Sequence, residues 1–247
     1  MPPSSRPARF WVLRAGLVVA ALVCVFTLVL LGLTRQRPDW WCALDAADPR
    51  TAETARAVEN GVQTVLSRVR GRDPADPSRS EPWSVSLKAA DANAWLNARL
   101  PKWVENQTRR GGWPEQIREV QVEFRDGHVL IGARVRSGDG DRVLAAVLRP
   151  RIDPDGSLWI PATRLALGRL SVPASWVFNA DVGLASLQVP AELRELTEAR
   201  GLFGALAGIE AVSRTASLRL ADGRRVRVRA INAHDGLLDL TFTTETR

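Results

Sequence analysis

The chain has 247 residues, 45% of them hydrophobic and 25% charged, which is typical of a folded globular protein and excludes a disordered one. Its net charge of +7 comes almost entirely from arginine. This charge does not predict a nucleic-acid partner, because the apolar run at residues 15–34, described next, is expected to place most of the chain outside the cytoplasm. The two cysteines, Cys24 and Cys42, are too few for a disulfide framework.

The first predicted element is an uncharged apolar run over residues 15–34. At a rise of ~1.5 Å per residue, a helix of this length matches the roughly 30 Å hydrocarbon core of a bilayer. Residues 1–14 carry Arg6, Arg9 and Arg14 and no acidic residue, so the positive-inside rule keeps them in the cytoplasm. The sequence therefore predicts a single-pass membrane protein whose larger part lies outside the cytoplasm.

A cleaved signal peptide is the alternative to this anchor. Its apolar core usually has about 7 to 15 residues and precedes a small-x-small cleavage site. The run here is longer, and no such site follows it. We therefore expect an uncleaved anchor, with roughly 200 residues left for one large domain.

Residues 35–82 are predicted to form a juxtamembrane helix and a linker. A stripe of alanine, valine and leucine recurs every three or four residues from Ala55 to Val69, which is typical of a helix with one apolar face. Asp48 is expected to cap this helix and Gly71 to end it, followed by a linker over residues 72–82 rich in proline and charge. The stripe could pack on the domain, on a second copy or on the membrane.

Residues 83–247 are predicted to form the extracytoplasmic α+β domain. A short strand begins at Trp83, and a helix capped by Asp91 follows and ends before Pro101. Asn93 and Asn97 lie four residues apart on that helix, where they could pair, although local hydrogen bonding within a helix is the commoner use. Residues 105–116 are predicted to form an exposed loop.

From residue 117 the hydrophobic pattern alternates with a period of two, and glycine-containing turns separate the segments. This predicts an antiparallel meander of long hairpins over residues 117–167, with three more strands from residue 216 onward. Short helices are expected from Pro173 and from Pro190. On the strand that begins near Arg224, alternate arginines are expected to form a solvated face.

No hydrolytic, redox, nucleotide-binding or zinc motif occurs in the sequence, so we expect neither an enzyme nor a cofactor. The two histidines, His128 and His234, adjoin predicted hairpin turns and do not indicate a metal site. Asp139 and Asp141 lack the further ligands of a calcium loop and indicate a plain turn.

Nine tryptophans and no tyrosine are present, and most of these indoles are explained by core packing. Some could line a groove for an apolar ligand. Phe203 lies in a run of small and apolar residues that could form the wall of such a pocket. The candidate ligand-binding residues are Trp95, Trp103, Trp159, Trp176 and Phe203.

The order of the elements between residues 84 and 180 carries a resemblance. An apolar strand precedes a helix bearing Asn93 and Asn97, and Gly156, Gly168 and Pro173 follow at turns. This arrangement resembles the YpmS-like group of single-pass membrane-anchored proteins, whose shared pattern contains no catalytic signature. The combination of a helix with long curved hairpins is also similar in architecture to tubular, TULIP-like lipid-binding domains, which implies a lipid ligand.

Two functions follow as expectations. The first is a membrane-anchored extracytoplasmic domain that binds lipid or another apolar ligand between its sheet and its helices. The alternative is a structural or scaffold protein of the envelope that acts through protein-protein contacts. A homodimer could form through the anchor, through the helix at 48–71 or through Cys42.

Overall fold

The computed structural model describes residues 22–107, 112–138, 140–178 and 197–245. Within these ranges the chain is α+β, with antiparallel sheets and few helices. The helices are α1 (22–35), α2 (Pro49–Ser67), α3 (Ala89–Ala98), α4 (Leu100–Gln107), α5 (Ala174–Phe178) and α6 (Thr197–Leu206). The strands are β1 (Arg72–Asp73), β2 (Asp76–Ser80), β3 (Trp83–Lys88), β4 (Ile117–Arg125), β5 (His128–Ser137), β6 (Gly140–Leu148), β7 (Arg151–Ile152), β8 (Leu158–Trp159), β9 (Ala162–Leu167), β10 (Leu170–Pro173), β11 (Ser217–Arg219), β12 (Arg225–His234) and β13 (Leu237–Glu245).

The strands are divided between two main sheets and one small hairpin. The five-stranded sheet has the order β10-β9-β6-β5-β4, and β7 pairs only with β8. The six-stranded sheet has the order β1-β2-β13-β12-β11, and β3 also pairs with β13. The meander predicted over residues 117–167 is present in the five-stranded sheet, except that β7 and β8 leave it as a separate hairpin. The last three strands belong to the other sheet, in which β13 pairs with β3 and Trp83 lies opposite Phe242.

The segment after α2 differs from its prediction. Residues 72–82 were expected to form a linker, but β1 and β2 lie within them and β2 reaches β13. Helix α2 begins after the predicted cap Asp48, whose carboxylate accepts from the backbone N–H of Arg50. It ends at Ser67 rather than at Gly71, because the backbone of Arg68 is extended, and the Arg224 guanidinium donates to the carbonyl oxygens of the last turn.

The next helices also shift relative to the sequence pattern. Helix α3 begins after Lys88, so Asp91 lies in its first turn instead of capping it. Helix α3 ends at Ala98, before Pro101 as predicted, but α4 begins directly after it, with Pro101 in its first turn, where proline needs no hydrogen-bonded N–H. Residues 108–111 of the predicted loop and the start of the helix predicted from Pro190 lie outside the described residues, which resume with α6 at Thr197.

Helix α3 lies where the two sheets meet. The side-chain amide of Asn93 bonds to both backbone groups of Val122, at 2.6 and 3.0 Å, and Asn97 does the same for Val120, at 2.7 and 3.0 Å. The two side chains do not bond to each other, but Asn97 also donates to the backbone carbonyl of Asn93 at 2.8 Å, which is the local helical bond expected as the commoner use. Both side chains satisfy the free edge of β4. Beneath them lies the core cluster of Ala89, Ala92, Val122, Phe124 and Ala233.

The predicted anchor falls partly on described residues. Residues 1–21 lie outside them, and residues 22–35 form α1, which exposes Leu22, Phe26 and Leu28 by 63 to 67%. Among the described residues, no helix reaches the length and apolarity that a membrane span requires.

The residues that follow α1 pack on the five-stranded sheet. The turn at Gly168 receives the end of α1: the backbone N–H of Arg169 donates to the carbonyl oxygen of Leu33 at 2.9 Å. A few residues later, Trp40 and Trp41 lie over Gly132 on β5, where a Cβ would meet their rings at 3.0 and 2.9 Å. Residues 33–42 are thus part of the folded domain.

Candidate ligand groove

An apolar groove of about 470 Å³ lies between α2 and the six-stranded sheet. One wall comes from the second half of α2, with Val62, Val65 and Leu66. The floor comes from β3, β12 and β13, and the far side from Leu158 and the segment 213–218. The groove is thus formed by segments that are distant in sequence and that meet only in the folded domain.

The two halves of α2 have different surroundings, which explains the space beneath the second. The first half packs on α3: Ala55 is fully buried, and Glu59 accepts from Arg99 at 2.7 Å. The second half reaches past α3 and over the sheet, where its valines line the groove without filling it; Val62 remains 46% exposed.

The floor follows from the alternation of side chains along strands. Residues two apart point to the same face, so β3 contributes Trp83, Val85 and Leu87 to one surface. In the same way β12 contributes Val226 and Val228, and β13 contributes Leu240 and Phe242. Their neighbours Ser84 and Thr241 bond to each other at 3.2 Å in an exposed position.

The lining is almost entirely apolar. Apart from one glycine and the hydroxyl groups of Ser213, Thr215 and Ser217, every lining residue is hydrophobic, and none is charged. A site that holds one ligand in place by shape and a few polar contacts commonly has this composition. It contains no group that could act as an acid, base or nucleophile beyond the three hydroxyl groups.

Trp83 closes one end of the groove. Its ring stacks on Phe242 with a centroid distance of 4.6 Å, and its indole N–H donates to the Thr244 hydroxyl at 3.2 Å. The Arg70 guanidinium lies 4.5 Å from the centroid of the same ring. The indole therefore separates an apolar space from a cationic one.

The five candidate residues from the sequence do not meet at this groove; none is among its lining residues. Trp95 is half-buried on α3 and Phe203 half-buried on α6, whereas Trp103 on α4 and Trp176 on α5 are 53% and 70% exposed. Trp159 follows the lining residue Leu158, but its indole donates to the Ser157 hydroxyl at 2.9 Å and lies under Arg151. Alternation on β8 explains why only Leu158 lines the groove.

The lining residues could have been found by a different signal. Trp83, Val85 and Leu87 are the inward positions of a period-two strand, and the same is true of Val226 and Val228. Residue type alone indicates large aromatic side chains, whereas strand register and the placement of α2 decide which residues line the groove.

A polar cluster lies near the end of the β12-β13 hairpin, outside the groove. Ser86 donates to one oxygen of Asp239 at 2.5 Å, and His234 lies 2.7 Å from the other. The hydrogen bond from Ser86 is the largest of the contacts that hold the pKa of Asp239 below its usual value, and the bond to His234 comes next. The same bond to Asp239 raises the pKa of His234. Serine and histidine both bind the carboxylate, so the histidine does not bind the serine as a hydrolase triad requires.

Within the described ranges no three acidic, histidine or cysteine side chains come close enough to hold a metal ion. Comparison of the chain with protein-family models, with curated proteins and with solved structures gave no match. The resemblance to the YpmS-like group remains an expectation from the sequence.

Proposed function

We propose that this protein is a membrane-anchored extracytoplasmic domain that binds a lipid chain or another apolar ligand in the groove between α2 and the six-stranded sheet. The observation that carries the proposal is the lining, in which hydrophobic side chains from α2 and three strands surround about 470 Å³ without a charged group. This volume lies in the range of roughly 300 to 1,000 Å³ that is common for small-molecule sites.

Burial of a hydrocarbon chain provides the driving force. Each methylene that leaves water contributes about 0.8 kcal/mol, so roughly five buried methylenes offset the lower limit of about 4 kcal/mol for the loss of freedom on binding, and longer chains offset more of it. The groove offers few hydrogen-bonding groups apart from three hydroxyls, so the affinity for a ligand should depend more on the length of its hydrocarbon chain than on its polar substituents.

The membrane location is part of the same proposal. Most side chains of residues 22–31 that are exposed on α1 are large and apolar, with Cys24 and Thr27 as the exceptions. The large apolar ones are Leu22, Val23, Val25, Phe26, Leu28, Val29 and Leu31. A surface of this kind supports contact with lipid or with another apolar partner. Because residues 33–42 pack on the domain, the groove would be held close to its supply of lipid.

Photo-crosslinking tests the groove directly. The full-length chain, held in phosphatidylcholine nanodiscs, is irradiated with a neutral fatty alcohol that carries a diazirine, and the labelled peptides are identified by mass spectrometry. We expect labels on α2, β3 and β12, and loss of these labels in Val228→Trp, which fills the groove. Leu144→Trp, at a 50% exposed position on β6, is the matched control and should label normally.

A scaffold role is the second candidate, and exposed apolar residues beside the groove favour it. Val62 and Leu218 line the groove yet remain 46% and 55% exposed, and the nearby Val212 is 48% exposed. An amphipathic helix of a partner could cover this surface. Cys42 is exposed, so disulfide crosslinking of membranes tests the homodimer version of this role. Absence of lipid labels together with a Cys42-linked dimer would favour the scaffold.

A further inference from the structure

The cationic side of Trp83 holds an arginine whose hydrogen-bonding capacity is only partly used. Arg70 donates one N–H to the carbonyl oxygen of Val65 at 3.3 Å, and its guanidinium lies over the Trp83 ring. Its Nε atom is enclosed and has no hydrogen-bond partner among the described residues. Apart from the bond to Val65, the Nη groups of the guanidinium have no hydrogen-bond partner among the described residues, so they can donate to a ligand that reaches this end of the groove.

Arg70 belongs to a group of arginines at the end of α2 and on β1. Arg79 and Arg224 in this region have carboxylate partners, with Asp73 at 3.2 Å and Asp222 at 2.7 Å. In the part of the chain that the structure describes, no carboxylate pairs with Arg68, Arg70 or Arg72. These three side chains therefore leave uncompensated positive charge beside the apolar groove.

A second cavity, of about 290 Å³, lies on the polar side of Trp83. Arg68, Arg70 and Glu81 contribute to its walls, so two cationic side chains oppose one acidic side chain. The apolar groove and this cavity share Trp83 as a lining residue. An apolar chain and a charged head group could thus occupy adjoining spaces, one on each side of the indole.

We propose that the ligand of the groove is a single-chain amphiphile with an anionic, oxyanion head group. Its hydrocarbon chain lies between α2 and the sheet, and its head group is bound at Arg70 with Arg68 and Arg72 nearby. This inference rests on the proposed function and specifies which class of lipid the groove accepts.

The chemistry of the arginine side chain favours an oxyanion. The planar guanidinium presents paired N–H donors that match a carboxylate or a phosphate, and hydrogen bonds between charged groups are about twice as strong as neutral ones. The indole under Arg70 holds the guanidinium in place, so fewer rotamers are lost when an anion binds. A cationic head group in this cavity would meet Arg68 and Arg70, whose charge exceeds that of Glu81, and would be repelled.

The test uses the same full-length chain in phosphatidylcholine nanodiscs and the same neutral diazirine alcohol as the probe. Dodecyl phosphate, dodecanol and dodecyltrimethylammonium, which share one chain length, compete for the label. We expect dodecyl phosphate to compete about tenfold better than dodecanol, and the trimethylammonium compound to compete least. Arg70→Gln should remove the advantage of the phosphate, whereas Arg118→Gln, at an exposed position on β4, should retain it.

The outcomes separate this inference from the proposed function. Equal competition by all three compounds would overturn the inference that the head group is anionic, but it would still agree with binding of a hydrocarbon chain in the groove. Absence of any groove label would overturn the proposed function itself. Equal weakening of all competitors in Arg70→Gln would show that Arg70 only supports Trp83. Arg72→Gln, at an exposed position, tests how a nearby positive charge affects competition by dodecyl phosphate, without disturbing the indole of Trp83.

Discussion

The two sheets of this domain differ in how their faces are covered. A face of the five-stranded sheet is closed by residues 40–42, where Trp40 and Trp41 lie over Gly132 and the backbone of Cys42 bonds twice to Gln121. The six-stranded sheet lies under α2, and a groove of about 470 Å³ remains between them. The first face is closed by specific contacts, whereas the second keeps apolar surface available.

This difference separates stability from binding. Protein interiors are close-packed, and a side chain that faces a void lacks partner atoms and the dispersion energy they provide. The closed face therefore contributes to stability without a ligand, whereas a ligand that fills the groove would stabilise the folded state by mass action. Substitutions on the two faces should accordingly have different effects.

The largest effect is expected at Gly168, which holds the end of α1 against the five-stranded sheet. Its φ is +60°, and a Cβ there would lie 2.5 to 2.6 Å from the carbonyl oxygens of Leu33, Thr34 and Gln36. Gly168→Ala should lower the free energy of unfolding by about 3 kcal/mol, since strain and displacement of the backbone add together. Chemical denaturation measures this loss.

Gly223→Ala is the matched control, because Gly223 has a φ of +87° and no atom within 4 Å of its Cβ position. The free energy of unfolding of Gly223→Ala should fall by only about 1 kcal/mol, which is the cost of a left-handed backbone conformation at alanine. Equal losses in the two variants would show that the contact with α1 does not stabilise the domain.

The next effect is expected at Gln121, which is 1% exposed. Its side-chain oxygen accepts from the N–H of Cys42 at 3.0 Å, and its amide donates to the Cys42 carbonyl at 2.6 Å. Gln121→Leu should cost about 2 to 3 kcal/mol, because both backbone groups lose their partner. Gln116→Leu, at an exposed position, is the control. A similar shift of the chemical-denaturation midpoint in both variants would contradict a stabilising role for the hydrogen bonds between Cys42 and Gln121.

A smaller effect should distinguish the core from the groove. Val122 is 8% exposed in the core cluster, and Val122→Ala should cost about 2 kcal/mol through lost burial and a residual cavity. Val85 already faces the groove, so Val85→Ala should cost less than about 1 kcal/mol without a ligand. Thermal unfolding of both variants measures the difference, and equal losses would mean that the groove is closed in solution.

The smallest effect concerns pH and the His234–Asp239 pair. The pKa of His234 is raised above its ordinary value of 6.5, so the protonated pair stabilises the fold fully below pH 6.5 and the contribution disappears as pH rises through the raised pKa. Asp239 contributes above its ordinary pKa of 3.8 and loses this contribution only at lower pH.

Denaturation midpoints between about pH 5 and pH 8 should therefore fall more steeply with rising pH in the wild-type protein than in His234→Gln. Parallel profiles would contradict the pairing. His128→Gln is the control, because His128 contacts a backbone carbonyl rather than a carboxylate.

Local patterns in the sequence predicted much of the fold. The alternation from Val120 to Phe124 predicted β4, and the turn Asp126-Gly127 has the positive φ values that a tight hairpin needs. Pairing between distant strands was not predictable in the same way, because the joining of β3 to β13 leaves no local signature.

The candidate site was harder to predict for a related reason. Glu119 and Gln121 alternate with the core residues of β4, and polar residues in such a pattern usually face solvent, yet both are buried, with Glu119 paired to Arg134 at 3.0 Å. A residue's type does not reveal whether another segment covers its face. The tryptophans chosen by type therefore lie away from the groove, whereas Trp83 lies in it.

The sequence by itself determined the α+β class, the main hairpins, and an apolar stripe on the helix after the predicted anchor, because periodicity and turn chemistry are local properties. Only the tertiary structure decided that the strands divide into two sheets, that residues 72–82 join one of them, and that half of α2 reaches over an apolar floor. Those outcomes depend on contacts between residues more than a hundred positions apart, such as Trp83 and Phe242, which no local pattern encodes.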